Sequence, residues 1–244
     1  MKKRVIVVTG GSGRFGKILK KINNINKIYF PTKNQLDILN EKKIITYLNK
    51  TKPSVLIHLA GLSRPMQEHY QNITKSINLN IIGTANITKI CHKLNIKLIY
   101  ISTNYVYPGL KGNYSEKDSL LPVNNYAWSK LGGETSVQLY KNSLILRVCM
   151  TEKPFIHKKA FANVKTSFIY QEEVAKILFK LINKKGVINI GGSPRFIYDF
   201  VKKENKNIKK THLKKHLDLG MPINSSINIS KLKKIIKNLV KIKF

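Results

Sequence analysis

Cysteine is nearly absent: Cys91 and Cys149 are the only two in 244 residues. They lack the spacing of a metal or redox pair, and no metal is assigned. Both stand in apolar surroundings and read as small buried side chains. No apolar run reaches the roughly 18 residues that a membrane span needs. After Met1-Lys2-Lys3-Arg4 the apolar run covers only Val5 to Val8 and leads into glycines, too short for a signal peptide. The reading is a cytoplasmic protein with no membrane partner.

Acidic residues are also scarce. Twelve Asp and Glu stand against 45 Lys and Arg, for a net charge of +33. Residues 201–244 hold 13 lysines against two acids, about a third of that charge. Aromatic residues do not interleave these lysines except at Phe244, so a base-stacking surface is not indicated. Lys, Asn and Ile are over-used together, and a solvated basic face accounts for the excess without a specific nucleic-acid partner. Such a face also suits anionic ligands such as pyrophosphates.

What is present reads as alternating strands and helices. The run from Arg4 to Thr9 is β-branched and ends in glycines, as a fully buried parallel strand does. Gly10, Gly13 and Gly16 follow at G-x-x-G-x-x-G spacing, with Arg14 and Phe15 between them, and open a helix. Glycines there let a pyrophosphate approach the helix N-terminus. Lys27 to Phe30 is a second strand. About 20 residues past the glycines, where an acid would hold the ribose hydroxyls of NAD, stands Pro31-Thr32-Lys33. Lys33 or Arg14 could meet a 2′-phosphate, which favours NADPH over NADH. Asp37 and Ile38 could bracket an adenine, or Asp37 could simply sit near a helix start.

Glu41 to Lys50 is an amphipathic helix stopped by Pro53. Ser54 to Leu59 is a third buried strand, and Leu59, Ala60 and Gly61 are placed against a cofactor. His58, inside that apolar run, reads as a core histidine. Residues 66–93 carry one long helical pattern that includes Asn80, a further cofactor candidate, and Gly83, which is expected to pack against the sheet. Lys97 to Ile101 is a fourth strand ending in Ser102-Thr103-Asn104, where α/β proteins bind ligands. The segment from Tyr105 to Asn125 reads as a substrate-covering loop. A helix then runs to about Tyr140, and Leu144 to Val148 is the next strand. Beyond Met150 the chain is irregular and basic to residue 170. Gln171 to Ile182 reads as a helix, Gly186 to Ile190 as a strand, and Tyr198 to about Lys203 as a helix. Leu213 to Met221 is left open. A last helix covers Ser230 to Lys241, with Leu232, Ile235, Ile236, Leu239 and Val240 on one face.

Tyr126 and Lys130 fall four residues apart on the predicted helix, so they share one face. A lysine ammonium beside a phenol favours the phenolate and makes an acid that works near neutral pH. The glycine turn upstream and Thr103 at a strand tip, whose hydroxyl could hydrogen-bond a substrate carbonyl, add weight to this pair. Thr103, Tyr126 and Lys130 are the catalytic candidates.

These segments together resemble the extended short-chain dehydrogenase/reductase superfamily and, within it, the dTDP-4-dehydrorhamnose reductase family. TGGSGRFG is similar to its cofactor loop, QLDI to its adenine-flanking segment, HLAG to its third-strand end and NIIGTAN to its central helix. ISTNYVYPG is similar to its hydroxyl site and NNYAWSKLGGE to its catalytic helix. INIGG and INSSINISKLKK are similar to its C-terminal half. The resemblance implies a Rossmann-type doubly wound parallel sheet over residues 1–150. It implies a small substrate lobe over 151–244, with Val187 to Ile190 rejoining the sheet. It implies an NAD(P)H-dependent reductase of a nucleotide-linked 4-keto-6-deoxy sugar, with Thr103 as catalytic hydroxyl, Tyr126 as proton donor and Lys130 tuning it, and with Tyr126 and Lys130 also at the cofactor, Lys130 holding the nicotinamide ribose. It leaves room for a homodimer, for an epimerase or dehydratase with tightly held NAD, and for a non-catalytic regulatory protein. Three departures stand out. Asn104 replaces a common acid, the substrate lobe is short, and Arg147 to Thr151 lacks the usual aromatic.

Overall fold

The computed structural model describes residues 4–22, 26–214 and 220–241, with the side chains of 239–241 excepted. The readings made at Met1 to Lys3, at 215–219, at Phe244 and at the side chains of Leu239 and Val240 lie outside the described residues. Six strands build the central parallel sheet: β1 (Val5–Thr9), β2 (Lys27–Tyr29), β3 (Val55–His58), β4 (Lys97–Thr103), β5 (Ser143–Val148) and β6 (Gly186–Ile190). Their order is β6-β5-β4-β3-β1-β2. β1 pairs in parallel with β2 and β3, and β3 with β4. The β-branched runs explain this, because both faces of a parallel sheet are buried and alternation is lost. All of β3, β4 and β5 is buried. β6, which includes Val187 to Ile190, lies at one edge of this order.

The chain leaves β1 for β2 on one side and returns to β3 on the other. The carboxyl ends of β1 and β3 therefore flank the point where strand order reverses, the place where such sheets bind ligands. The flanking helices are α1 (Arg14–Lys21), α2 (Glu41–Thr51), α3 (Gly83–Lys93) and α4 (Asn125–Gln138). Asn40 caps α2 by accepting from Lys43 N at 3.0 Å, and Lys52, at φ +45°, ends it before Pro53.

The single helix expected over 66–93 is broken. Two short turns, Glu68–Gln71 and Ile73–Ser76, are followed by a π-helical stretch, Ile77–Ile82, and then α3. Asn72 lies between the turns with φ −134°, ψ 71° and accepts from Lys75 N. Its side chain competes with the helical backbone bond and restarts the helix. At Gly83 a Cβ would lie 2.6 Å from Cδ1 of Ile38. The missing side chain makes room for the segment that follows β2.

Two compact units interleave along the chain. The first takes residues 1–102, 128–146 and 182–186, and the second 103–127, 147–181 and 187–244. The division follows packing and is not a single cut at 150. In the first unit Val7, Ile57, Leu98, Ile99 and Leu144 are fully buried. In the second, Ala160, Val164, Ile197, Val201, Ile208 and Leu213 form a core faced by Phe168 and Phe200. The segment read as irregular contains short strands: Lys159–Phe161 pairs with Lys209–Thr211, Lys165–Thr166 with Arg195–Phe196, and Met150–Thr151 with Ile169–Tyr170. At two or three residues each they are too short to show alternation. Helices α5 (Gln171–Leu181), α6 (Ile197–Lys202) and α7 (Ser230–Lys241) complete the second unit. Leu232 is buried and Ile235 and Ile236 are half-buried.

Candidate functional site

β1 delivers the chain into Gly10 at φ +69°, where a Cβ would lie 2.6 Å from the backbone nitrogen of Ala60. Only glycine fits both the turn and that approach. Gly13 N donates to Gly10 O at 3.0 Å, and Gly13 starts α1. No side chain caps this helix start and no acid occupies its first turn. That leaves a helix N-terminus suited to an anion. Arg14 is exposed beside it, while Phe15 and Gly16 are buried, so Phe15 can offer a ligand only its backbone.

Across the turn, Leu59 N and Ala60 N both donate to the Thr9 hydroxyl at 3.3 Å. These two amides brace β3 against β1, and Gly61 follows them exposed. Lys33 is exposed in the turn after β2. Asp37 accepts from Leu39 N at 3.0 Å, so its carboxylate shapes a local turn. Ile38 is buried and its carbonyl accepts from Asn86 Nδ2 at 3.1 Å. Asn80 is 1 % exposed. Its Oδ1 accepts from Leu62 N at 2.7 Å, and its Nδ2 donates to Leu62 O at 2.9 Å and to Ser129 Oγ at 2.7 Å. Both amide hydrogens are spent, so Asn80 ties the segment after β3 to α4 and is not placed as a direct ligand.

The three residues at the tip of β4 have separate partners. Ser102 donates to Glu134 Oε2 at 2.5 Å. Thr103 accepts from Tyr105 N at 3.2 Å, which leaves its hydroxyl proton for another acceptor. Asn104 donates to Ser225 O at 3.0 Å, so the residue standing for the family's acid serves a backbone carbonyl.

α4 begins under a cap the sequence reading missed: Asn124 accepts from Ala127 N at 2.8 Å and donates to Gly220 O at 2.7 Å. Tyr126 lies in the first turn and is half-buried. Lys130 follows one turn later, its Nζ 4.1 Å from the centroid of the Tyr100 ring. Burial, partly opposed by the Glu134 carboxylate, brings its ammonium down to about 7. Glu134, one further turn along, is fully buried. Sequence reasoning left Tyr100 and Glu134 out, although the four-residue spacing of Tyr126, Lys130 and Glu134 is visible in the sequence.

His58 is a core histidine, as read. Nδ1 pairs with the Thr9 hydroxyl at 2.8 Å and Nε2 with Thr84 at 3.1 Å. Burial, then the Lys130 charge, pushes its imidazole down to about 3. Both cysteines are buried. Burial raises the Cys91 thiol strongly and moves Cys149 up to about 11. Among the described residues no group of three or more His, Cys, Asp or Glu could hold a metal, and no helix is long and apolar enough to cross a membrane.

Residues 3–183 match the family described as "RmlD substrate binding domain". The chain belongs to this family. A dTDP-4-dehydrorhamnose reductase of Aggregatibacter actinomycetemcomitans is 28% identical over 151 residues, covering 60% of this chain and 51% of that protein. Methionine adenosyltransferase 2 subunit beta of Xenopus laevis is 30% identical over 155 residues, covering 59% and 46%. The chain thus spans about half the length of the curated relatives it matches. Among solved structures, the dTDP-4-dehydrorhamnose reductase of Bacillus anthracis, in complex with NADP, superposes with a TM-score of 0.81 at 23% identity, over 96% of this chain and 92% of that one. These likenesses carry the Rossmann-type fold of the family.

Proposed function

We propose that this protein is an NAD(P)H-dependent reductase of the short-chain type, acting in the cytoplasm on a nucleotide-linked 4-keto-6-deoxy sugar. The observation that carries the reading is the spacing of Tyr126 and Lys130, one turn apart on α4, with Lys130 seated over Tyr100 and its ammonium brought down to about 7. The cofactor residues fit: the Gly10 turn admits close backbone approach, and the uncapped start of α1 with exposed Arg14 suits a pyrophosphate. Arg14 and Lys33 would meet a 2′-phosphate, which favours NADPH over NADH. The nicotinamide, when bound, supplies the hydride that reduces the keto carbon.

The chain's own residues do the rest. Tyr126 gives its phenolic proton to the carbonyl oxygen as negative charge develops there. Lys130, when charged, stabilises the phenolate that remains and lowers the cost of that transfer. Thr103 donates its hydroxyl to the same oxygen and orients it. The mechanism asks most of Tyr126. In Tyr126→Phe, turnover of NADPH with dTDP-4-keto-6-deoxy sugars should fall by orders of magnitude while NADPH still binds. Equal turnover in the variant would end the reading.

A second reading is a non-catalytic subunit that keeps the cofactor fold, favoured by the relatives named methionine adenosyltransferase 2 subunit beta. It expects NADPH binding with no consumption on any 4-keto sugar, and no change in Tyr126→Phe.

A further inference from the structure

We infer that Glu134 is a positioning residue that holds Lys130 through charge, and that Ser102 fixes the Glu134 carboxylate for that task. The inference rests on the reductase reading above and adds two residues to it. Three side chains follow one another at four-residue intervals along α4: Tyr126, Lys130 and Glu134. Side chains at that spacing lie about 5–6 Å apart at Cβ.

Glu134 is 0 % exposed. Polar groups buried this far are held by hydrogen bonds. Ser102 Oγ donates to Oε2 at 2.5 Å, and Gln138 Nε2 to Oε1 at 3.2 Å, so each oxygen has a donor. Neither donor carries charge. Glu134 favours the charged form of Lys130, one turn away on α4, while burial opposes it.

The other groups facing Lys130 cannot take this role. Tyr100 of β4 presents a neutral ring to its Nζ. His58 of β3 is held neutral by burial and both its nitrogens are hydrogen-bonded to hydroxyls. Tyr126, on α4 itself, is the group that Lys130 serves. Among these neighbours Glu134 alone supplies negative charge. The two adjacent hydroxyls at the tip of β4 also divide their work. Alternation places Ser102 and Thr103 on opposite faces, and Ser102 is committed to Glu134.

The test is Glu134→Gln, with Glu134→Asp as the conservative variant. Two titrations are measured on each. Competitive acylation of Lys130 by acetic anhydride, read by mass spectrometry across pH, gives its protonation midpoint without any turnover. The pH profile of NADPH-dependent reduction gives the alkaline limb of activity. Glu134→Gln should lower the labelling midpoint by about one unit or more, in line with the loss of a nearby opposite charge. The alkaline limb should fall by the same amount, and Glu134→Asp should restore part of both. Should Glu134→Gln not fold, Ser102→Ala loosens the same carboxylate and should move both readouts in the same direction by less. An unchanged labelling midpoint in a folded variant overturns the inference. A shifted midpoint with an unmoved activity limb upholds the coupling and overturns the catalytic role given to Lys130.

Discussion

Tyr100 holds Lys130 at both ends. Its ring lies 4.1 Å beneath the Nζ, and its hydroxyl donates to the Lys130 carbonyl at 3.1 Å. The Lys130 side chain is therefore seated by one residue of β4, and the turn of α4 that carries it is pinned by the same residue. The two contacts can be separated by mutation. Tyr100→Phe keeps the ring and loses the hydroxyl bond, so it should cost about 1 kcal/mol of stability and leave kcat within about two-fold. Tyr100→Leu removes the ring as well. A partly buried cation–π contact is worth on the order of 1–2 kcal/mol, so kcat should fall roughly ten-fold. Urea unfolding and NADPH turnover on the two variants check this, and equal kcat in both would show that the ring does not seat Lys130.

Asn104 stands where members of the family commonly have an acid, and its partner explains the exchange. It is 3 % exposed and donates its amide to the Ser225 carbonyl at 3.0 Å. Asp in its place has no proton to give at neutral pH and would turn a carboxylate toward a carbonyl oxygen. Asn104→Asp should therefore lose about 1–3 kcal/mol, the range for an unsatisfied buried group. The loss should shrink as pH is lowered, because protonation restores a donor. The denaturant midpoint at pH 7.5 and at pH 5 measures both effects. A variant as stable as the parent at pH 7.5 would show that the Ser225 contact contributes nothing.

The parts of this protein that sequence made legible are those with a local cause. β1 is a β-branched run, the turn after it needs glycine, and Tyr126 and Lys130 share a helix face by spacing alone. What stayed hidden depends on contacts between distant residues. Nothing near Asn124 announces that it caps α4 while bonding Gly220, 96 residues on. Asn80 falls in a familiar segment, yet its amide is spent on Leu62 and Ser129, the latter 49 residues away. Thr103 stands out in the sequence, but the buried bond from its neighbour Ser102 to Glu134, 32 residues on, is not legible there. Asn72 looked like one polar residue in a long helix, and its capping bond breaks that helix in two.

His58 ties the core of the first unit to pH. Its imidazole is 1 % exposed, bonded to Thr9 and Thr84, and pushed down to about 3, against 6.5 for the free side chain. Between those values the unfolded chain binds the proton and the folded chain does not. Stability linked to this residue is thus fully present above pH 6.5 and is lost as pH falls toward 3. At about 1.4 kcal/mol per pH unit, roughly 3 kcal/mol should disappear between pH 7 and pH 4. Other groups titrate in the same range, so the informative quantity is a difference. His58→Asn keeps hydrogen-bonding capacity toward the two threonines and removes the titration. It should be less stable than the parent at pH 7, and the gap should close by about that amount at pH 4. Unfolding free energies of both proteins across this range give the comparison directly. A gap that stays constant with pH would mean that His58 accepts a proton in the folded state as readily as in the unfolded one.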